Sequence, residues 1–533
     1  MKGSFKTKLS ALKAIQNRFD AKSAGTSLNL LLDLQKEPLP VPNLLLEYHQ
    51  QLLFIIGYPA SQQHSQICEQ ELLRISQYLK KQPKVASKLE NSGLPHTHIV
   101  SNFAHKLVKW LINEDFFVEL ESYKKKSSDL VKLLQLTLPD LEKDLADISE
   151  TNEELIENLC LKPKQILEFL IYEFQRLEHH AILKDFLFDP LGLKFRIHLK
   201  EDSHSVSFNK LPVDKYYFHG DLLRDLNLKS LITEALPNAE FLSLEMKALI
   251  PKVSKLKLIF LQRETEPVTY MDTESIRYYV LDRGVSIAVF TMTPDRQLPL
   301  ESYVGYTLFK NGYPAAYGGA WIFGKRALFG TNVFEWFRGG ESAYFLGQLL
   351  RLYHQLFGVE YFEVEPYQFG LNNDEGLDSG AFWFYYRNGF KPEEAALAKL
   401  AAAEYAKLQK SKSYKCNVTM LRKLTGSNLV LNLGKGTPTA IWEIRDKVTA
   451  HINKHYEGNR FRAERACIQA FLLKTGFRKP TEPEFRKVLA DVSLIFEAMS
   501  WNSTEKIFHL KEMILKKPKD LYRYQDELLK LLS

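Results

Sequence analysis

The spacing of apolar residues changes twice along the chain. Between residues 42 and 188 it is helical, with short breaks at prolines. From 191 to 323 short apolar runs follow one another, several of them alternating with polar residues as half-buried strands do. Residues 391–533 return to helical spacing. The pattern predicts an α+β fold class, in which a mixed β-sheet core with packed helices is flanked by all-helical N- and C-terminal parts.

The middle of the chain contains a series of predicted strands. They are 193–199, 256–261, 276–281, 285–292, 304–310 and 315–323. Asn311-Gly312 separates the last two, and this dipeptide is the strongest short signal for a β-hairpin. The two strands before them are separated by the hairpin-sized gap 282–284. Because these strands run on into the region that follows, we expect the sheet domain to begin near residue 250.

The same pattern divides the chain into four predicted segments. They are a helical N-terminal domain (1–190), a mixed α/β connecting segment (191–249), the sheet-containing core (250–392) and a basic helical C-terminal region (393–533). Within the connecting segment, 222–236 is predicted to be a helix with Asp221 near its N-cap. At 533 residues the chain is too long for a single hydrophobic core, so several domains are expected.

A strand-to-helix turn lies at the centre of the predicted core. Residues 331–337 are apolar and β-favouring, and they are followed by Gly339 and Gly340. A helix is then predicted over 341–357, with Gly358 in the position of a C-cap. Such a turn aims the N–H groups of a helix N-terminus beyond the strand, which suits a phosphate. An ordinary β–α turn is the other interpretation, and the turn alone does not separate the two.

Two motifs lie on these elements. In the turn, Arg338, Glu341 and Ala343 form Arg-x-x-Glu-x-Ala. Downstream, a strand is predicted at 359–365 and a helix at 377–388, and the helix carries the second motif: Ala381, Tyr385, Gly389 and Phe390. In this order the motifs resemble those of the GNAT superfamily of acyl-CoA-dependent N-acyltransferases. The turn motif of that superfamily is Arg-x-x-Gly-x-Gly/Ala, so Glu341 replaces its middle glycine.

The resemblance implies a GNAT-like core over about 250–392 and acyl transfer to an amine, with acyl-CoA, expected to be acetyl-CoA, as co-substrate. The residues it implies for the pyrophosphate cradle are Arg338, Gly339, Gly340, Glu341, Ser342 and Ala343. Tyr385 takes the position of the tyrosine that protonates the departing thiolate. Glu335, on the strand expected to face the acceptor, is the candidate base. With Glu363 and Glu365 on the next strand it would form an acidic mouth for a cationic amine.

Three functions stay open on the sequence alone. The first is an N-acyltransferase that uses acyl-CoA; the second is a transferase on the same fold with another donor, such as an aminoacyl-tRNA. The third is a non-catalytic binding or scaffold protein. Glu341 and the basic C-terminal part leave room for the second, because a carboxylate repels a pyrophosphate unless it points away. Packing of Tyr385 in an aromatic core and solvation of Glu335 are the corresponding non-catalytic interpretations.

Positive charge is concentrated at the C-terminal end. Residues 391–533 contain 27 Lys+Arg and 16 Asp+Glu, so their balance is 27 − 16 = +11. The whole chain is +7, so residues 1–390 come to 7 − 11 = −4. A polyanion such as a nucleic acid is one partner that this charge suits. A solvated, lysine-rich helical surface is the alternative interpretation.

Other sequence features bear on compartment and cofactors. No run of about 18 apolar residues predicts a membrane span, and no apolar h-region predicts a secretory signal. The four cysteines lie far apart, which favours a reducing, cytoplasmic compartment. His96 and His98 lack a third ligand at a defined spacing, so no metal is expected. The expected acceptor is an amine-bearing small molecule or protein.

Overall fold

The structure is a computed structural model that describes residues 4–177, 181–411 and 413–533. It is mixed α/β and divides into two compact units. The first unit comprises 4–222, Leu242–Met271 and Phe309–Pro314. The second comprises Leu223–Phe241, Asp272–Leu308 and Ala315–Ser533. Both units therefore combine separate stretches of chain, whereas the four segments predicted from the sequence are contiguous.

Helices dominate the first half of the chain. They are α1 (Phe5–Ile15), α2 (Ala21–Gln35), α3 (Pro42–Gly57), α4 (Gln62–Lys81), α5 (Pro83–Ala86), α6 (His105–Asn113), α7 (Asp129–Thr137), α8 (Asn152–Asn158), α9 (Pro163–Gln175), α10 (Ala181–Phe188), α11 (Leu228–Thr233), α12 (Leu244–Ile259) and α13 (Glu266–Thr269). All but α11 lie in the first unit. Prolines begin several of them, where the missing N–H costs no hydrogen bond.

The predicted all-helical character of the N-terminal part is wrong in one respect. The first unit contains a three-stranded antiparallel sheet of β1 (His98–Ser101), β2 (Phe117–Ser122) and β3 (Lys194–His198), in the order β1-β3-β2. Only β3 was expected. β1 and β2 are four and six residues long, and one residue of β1 and none of β2 is buried, so they leave little apolar signal in the sequence.

Two further predictions in the connecting region are wrong. Residues 256–261, expected to be a strand, lie mostly within helix α12, which Ser243 caps by accepting a hydrogen bond from the N–H of Met246. The buried residues Ile250, Val253 and Leu256 are three apart, as on one face of a helix. The strand was predicted because apolar and polar residues alternate over the first few positions from Leu256, and this short pattern hid the helical spacing. The predicted helix 222–236 shortens to α11, whose N-cap is Asn227 rather than Asp221.

An eight-stranded mixed sheet lies mainly in the second unit. Its strands are β4 (Arg277–Val280), β5 (Val285–Thr291), β6 (Ser302–Lys310), β7 (Tyr313–Phe323), β8 (Arg326–Val333), β9 (Tyr361–Val364), β10 (Lys391–Pro392) and β11 (Leu429–Asn432). They lie in the order β10-β11-β9-β8-β7-β6-β5-β4. β8 and β9 are parallel, whereas β7–β8, β9–β11 and β10–β11 are antiparallel. The sheet thus extends past residue 392, because β11 inserts between β9 and β10.

The hairpin predicted at Asn311-Gly312 is confirmed. The two residues have φ of 46° and 84°, the left-handed values that a two-residue hairpin turn requires. The hairpin over 276–292 is confirmed as β4 and β5, with Arg283 at the turn in the left-handed conformation (φ 60°).

Helices also cover and follow the sheet. They are α14 (Ser342–Phe357), α15 (Asp374–Asp378), α16 (Ala381–Arg387), α17 (Ala395–Lys410), α18 (Val418–Leu424), α19 (Ile441–Tyr456), α20 (Arg460–Thr475), α21 (Pro483–Met499), α22 (Thr504–Lys516) and α23 (Leu521–Leu532). α14 connects the parallel strands β8 and β9. The C-terminal helices share an apolar core that includes Phe471, Phe496 and Ile514, and Phe323 at the end of β7 packs into it.

Candidate functional site

β8 ends earlier than the sequence predicts. Val333 is its last residue, and Glu335–Phe337 form a 3₁₀ turn in which the N–H of Phe337 donates to the carbonyl of Phe334. Phe334 and Phe337 are 3% and 1% exposed. A 3₁₀ turn puts residues three apart on one side, whereas a strand would put them on opposite faces. The placement of Glu335 on a strand is therefore wrong, and its side chain is exposed.

The helix after this turn begins one residue later than predicted and ends as predicted. Glu341 is the N-cap of α14, yet its side chain makes no capping hydrogen bond. The first-turn N–H groups thus receive no acceptor from the N-cap residue, although a helix needs one there. At the other end Gly358 has φ 66°, which confirms the C-cap.

The Glu341 carboxylate points into the unit instead. The residue is fully buried. Its Oε1 lies 2.6 Å from a guanidinium nitrogen of Arg283 and accepts a hydrogen bond from the backbone N–H of Leu223 at 3.0 Å. The turn between β4 and β5 brings Arg283 to this position. The carboxylate is therefore neutralised beneath the helix and does not face the space beyond the turn.

Arg338 stands at the edge of the turn. Its Nε donates to the carbonyl of Val333 at 2.9 Å, and a terminal guanidinium nitrogen lies 2.6 Å from the carboxylate of Glu375. The Arg338 side chain is 35% exposed, so an anionic ligand can reach it. Gly339 follows with φ 77° and no atom within 4 Å of the place where a Cβ would sit. The backbone is thus open to a ligand at this point.

A cavity of about 240 Å³, which we call the strand-end cavity, lies where β8 ends. Its walls are formed by Thr331, Asn332, Val333, Arg338, Gly339, Ser342, Gln368, Asn373, Glu375, Gly376, Ser379, Ala381, Phe384 and Tyr385. β8 and β9 pair only from Arg326 to Leu328, so the cavity lies beside the unpaired part of β8. Of the predicted residues, it brings together Arg338, Gly339, Ser342, Ala381 and Tyr385. Gly340, Glu341, Ala343 and Glu335 do not line it.

Tyr385 reaches β8 from helix α16. It is 2% exposed, and its ring packs against Phe384 and Phe390 with centroids 5.5 and 5.4 Å apart. Burial raises the pKa of Tyr385 above its ordinary value, and a backbone hydrogen bond from Thr331 opposes the shift. The phenol is therefore protonated at neutral pH and can donate a proton into the cavity.

The other two carboxylates of the predicted acidic mouth have separate environments. Glu363 is buried on β9 and forms a two-pronged ion pair with Arg326 of β8, with N–O distances of 2.8 and 3.1 Å. It is therefore not available as a base. Glu365 follows β9, and its side chain is exposed. Neither residue lines the strand-end cavity.

Sequence reasoning missed one wall of the cavity. The loop 368–379, which its length and polarity suggest to be a surface insertion, contributes Gln368, Asn373 and Glu375. Asn373 caps the short helix α15 by accepting from the N–H of Gly376. An Asn followed by acidic residues is a helix-start signal, and it was the one indication that this loop is ordered.

Within the described ranges, no group of three or more His, Cys, Asp or Glu side chains is placed to hold a metal ion. His98 instead lies 2.5 Å from Glu90 on the surface of the small sheet. None of the described helices combines the length and apolarity needed to cross a membrane.

Comparisons of the chain with known protein families, with curated proteins and with solved structures find no match.

Proposed function

We propose that this protein is an N-acyltransferase that uses acyl-CoA as its donor and the strand-end cavity as its donor site. The observation that carries the proposal is the convergence of Arg338, Ser342 and Tyr385 on one cavity. These residues come from a strand-to-helix turn and from a separate helix. Arg338 and Tyr385 are the residues that the GNAT-like motifs select, and their spacing in the sequence does not require them to meet.

The turn offers suitable contacts for the pyrophosphate of CoA. Arg338 supplies a positive charge at the mouth of the cavity, and the first-turn N–H groups of α14 point beyond the strand end. The carboxylate of Glu341, which would repel a pyrophosphate if it faced the turn, instead points to Arg283. The cavity is smaller than the ~300 Å³ at which sites for drug-sized ligands begin. We therefore infer that only the acyl-pantetheine end enters it, while the nucleotide stays outside.

The chemistry then follows from the position of Tyr385. A neutral amine attacks the thioester carbonyl carbon, a C–N bond forms and the C–S bond breaks. The thiolate that leaves takes the proton of the Tyr385 hydroxyl, and the nitrogen gives up one proton to the base. The base releases that proton to solvent and the Tyr385 phenolate regains one from solvent, so protons balance over the cycle. Beyond Leu328 the edge of β8 is not paired with β9, and N–H groups on this edge other than that of Thr331, which donates to Tyr385, can polarise the carbonyl. Glu335 stays the predicted base; because it is exposed on the 3₁₀ turn and does not line the cavity, the proton would reach it through solvent.

Substitution of Arg338 by Glu tests the donor site. We expect CoA to stabilise the wild-type protein against heat, by about 2.7 kcal/mol at a hundredfold excess over its dissociation constant. Arg338→Glu should abolish the CoA-induced shift, because it replaces an attractive charge by a repulsive one. The fold should survive, since the Arg338–Glu375 ion pair is partly exposed to solvent and such pairs contribute little to stability. Differential scanning fluorimetry with and without CoA measures both effects.

The matched control is Arg387→Glu, because Arg387 is an exposed arginine on α16 outside the cavity. It should keep the wild-type response to CoA. A full response in Arg338→Glu would place the CoA site elsewhere. A wild-type protein that ignores CoA but binds tRNA in a salt-dependent manner would favour the other donor, and one that binds neither would favour a non-catalytic role.

A further inference from the structure

A second cavity, of about 430 Å³, lies in the same unit and has no role in the chemistry above. We call it the aromatic cavity. Its lining comprises Glu301, Trp321, Phe323, Arg326, Leu328, Glu363, Glu365, Pro366, Tyr367, Leu371, Asn428, Ile441 and Trp442. Three of these residues are carboxylates and three are tryptophan or tyrosine, a composition that suits a cation with an apolar body.

The aromatic cavity opens on the face of the sheet opposite α14. Side chains alternate along β8, so Arg326 and Leu328 face one way and Phe329 faces the other. The ring of Phe329 packs on Tyr353 of α14, with centroids 5.7 Å apart. On β9, Glu363 shares the face of Arg326, with which it is paired. One face of the sheet therefore forms a wall of the cavity, and α14 packs on the other face.

The cavity carries a net negative charge. Its three carboxylates and one guanidinium give 1 − 3 = −2. Arg326 and Glu363 neutralise each other, and Glu301 and Glu365 form no ion pair within the described ranges. Burial raises the pKa of Glu301, with Lys517 opposing the shift. A cationic ligand beside Glu301 would relieve this unfavourable burial of charge.

Aromatic rings line the same cavity as these carboxylates. Trp321 lies on β7, Tyr367 on the 3₁₀ turn after β9 and Trp442 on α19. The Trp442 ring lies 4.9 Å from the guanidinium carbon of Arg326, so it already interacts with a cation at this wall, and Trp321 and Tyr367 are the other two rings of the lining. Tyr367 and Trp442 are 55% and 46% exposed, so each ring should attract an ammonium group by about 0.5–1 kcal/mol, and a neighbouring carboxylate adds to the attraction.

The two cavities share two structural elements as walls: Leu328 of β8 and Tyr367 of the 3₁₀ turn line the aromatic cavity, and Thr331 and Gln368 of the same elements line the strand-end cavity. Gly319 of β7 and Gly330 of β8 are directly paired and lie on the face of the aromatic cavity. The space left by their missing side chains is occupied by polar groups. A Cβ on Gly330 would lie 3.2 Å from the amide nitrogen of Gln368, and one on Gly319 would lie 2.3 Å from the hydroxyl of Tyr303. Gln368 also lines the strand-end cavity, so its side chain packs against Gly330 and borders that cavity.

We propose that the aromatic cavity binds the acceptor, and that the acceptor is an amine carrying a second positive charge. The inference rests on the proposed function and names the substrate class of the same site. The nitrogen that attacks a thioester must be neutral, so a carboxylate-lined cavity is suited to hold a different, charged end of the molecule. Leu328, in the cavity, is two residues from Gly330, a distance of about 7 Å along a strand. An acceptor with a short aliphatic chain spans this distance. Its charged end then lies in the aromatic cavity, and its neutral nitrogen lies beside the thioester.

Binding of two amines to the full-length protein tests this inference without any donor. We expect 1,5-diaminopentane to bind with a dissociation constant at least tenfold lower than 1-aminopentane, because only the diamine fills both ends of the site. Glu301→Gln should weaken diamine binding by about tenfold or more, the usual contribution of one hydrogen bond to a charged group. Isothermal titration calorimetry measures both constants. Glu365→Gln should weaken binding in the same direction, and its exposed position makes a folding defect unexpected.

The control is Glu505→Gln, which removes an exposed carboxylate outside both cavities and should bind the diamine as wild type does. Equal binding of the two amines, or unchanged diamine binding in both Glu301→Gln and Glu365→Gln, would overturn the inference. Arg338→Glu separates the two proposals, since it should lose the response to CoA and keep diamine binding. CoA binding without diamine selectivity would overturn this inference alone, and diamine selectivity without CoA binding would overturn the donor assignment alone.

Discussion

Replacing Tyr385 by Phe should slow acyl transfer by about 10²–10⁴-fold, the usual contribution of a placed proton donor. The substitution removes one hydroxyl and almost no volume from a buried ring, so the packing against Phe384 and Phe390 should persist. Loss of the hydrogen bond from Thr331 should cost about 1 kcal/mol of stability. CoA affinity should change little, because the proton is donated as the C–S bond breaks. Single-turnover rates and CoA titrations measure the two effects separately.

Tyr386→Phe is the matched control for this substitution. Tyr386 is its neighbour on α16, yet its ring packs on Trp383 and Tyr405, with centroids 5.5 and 5.0 Å away, and does not line the strand-end cavity. Its loss of a hydroxyl should leave the rate within a few-fold of wild type. Equal, small effects at the two positions would show that both tyrosines are packing residues and would remove the general acid from the proposed mechanism.

The raised pKa of Tyr385 also determines how the rate should respond to pH. Burial favours the neutral phenol, so the proton-donating form is present at every pH below the ordinary tyrosine pKa of about 10. We expect no loss of rate from this group between pH 6 and 9. A rate that rises with pH in this range would instead report deprotonation of the acceptor amine.

The sequence predicted best those elements whose signals are local. The Asn311-Gly312 hairpin and the C-cap at Gly358 each depend on a few adjacent residues whose backbone must adopt left-handed angles. Two of the wrong predictions share a different cause. At 334–337 and 256–261 a short apolar run looks like a strand, and only the burial of residues three or four apart reveals a 3₁₀ turn or a helix.

The candidate site could be predicted only in part, for a related reason. Motif spacing selects Arg338 and Tyr385, and the structure places both at one cavity. The direction of the Glu341 side chain depends on Arg283, which is 58 residues earlier in the chain. No local pattern carries that information. The same holds for the approach of Gln368 to Gly330, which depends on how the loop after β9 folds back over β8.

Substitution of Glu341 by Gln should destabilise the protein without affecting the donor site. The Glu341 side chain is fully buried and that of Arg283 is 15% exposed, so the substitution leaves a buried guanidinium facing a neutral amide in place of a carboxylate. Breaking a buried ion pair by removing one partner typically costs about 3–5 kcal/mol. Urea denaturation should therefore show an earlier midpoint for the second unit. The alternative, a Glu341 that faces the pyrophosphate, gives opposite results: stability near that of wild type and tighter CoA binding, since a repulsive charge would be lost.

A double substitution distinguishes the loss of this ion pair from simple damage to the turn. In Glu341→Gln with Arg283→Met, neither member of the pair keeps its charge, so much of the lost stability should return. The Arg283→Met protein alone should be destabilised about as much as Glu341→Gln, because it leaves the carboxylate buried instead. If both single variants and the double variant lose stability additively, the two side chains are not coupled. The turn beneath α14 would then be held by other contacts, and the ion pair would not explain why a glutamate occupies this position of the motif.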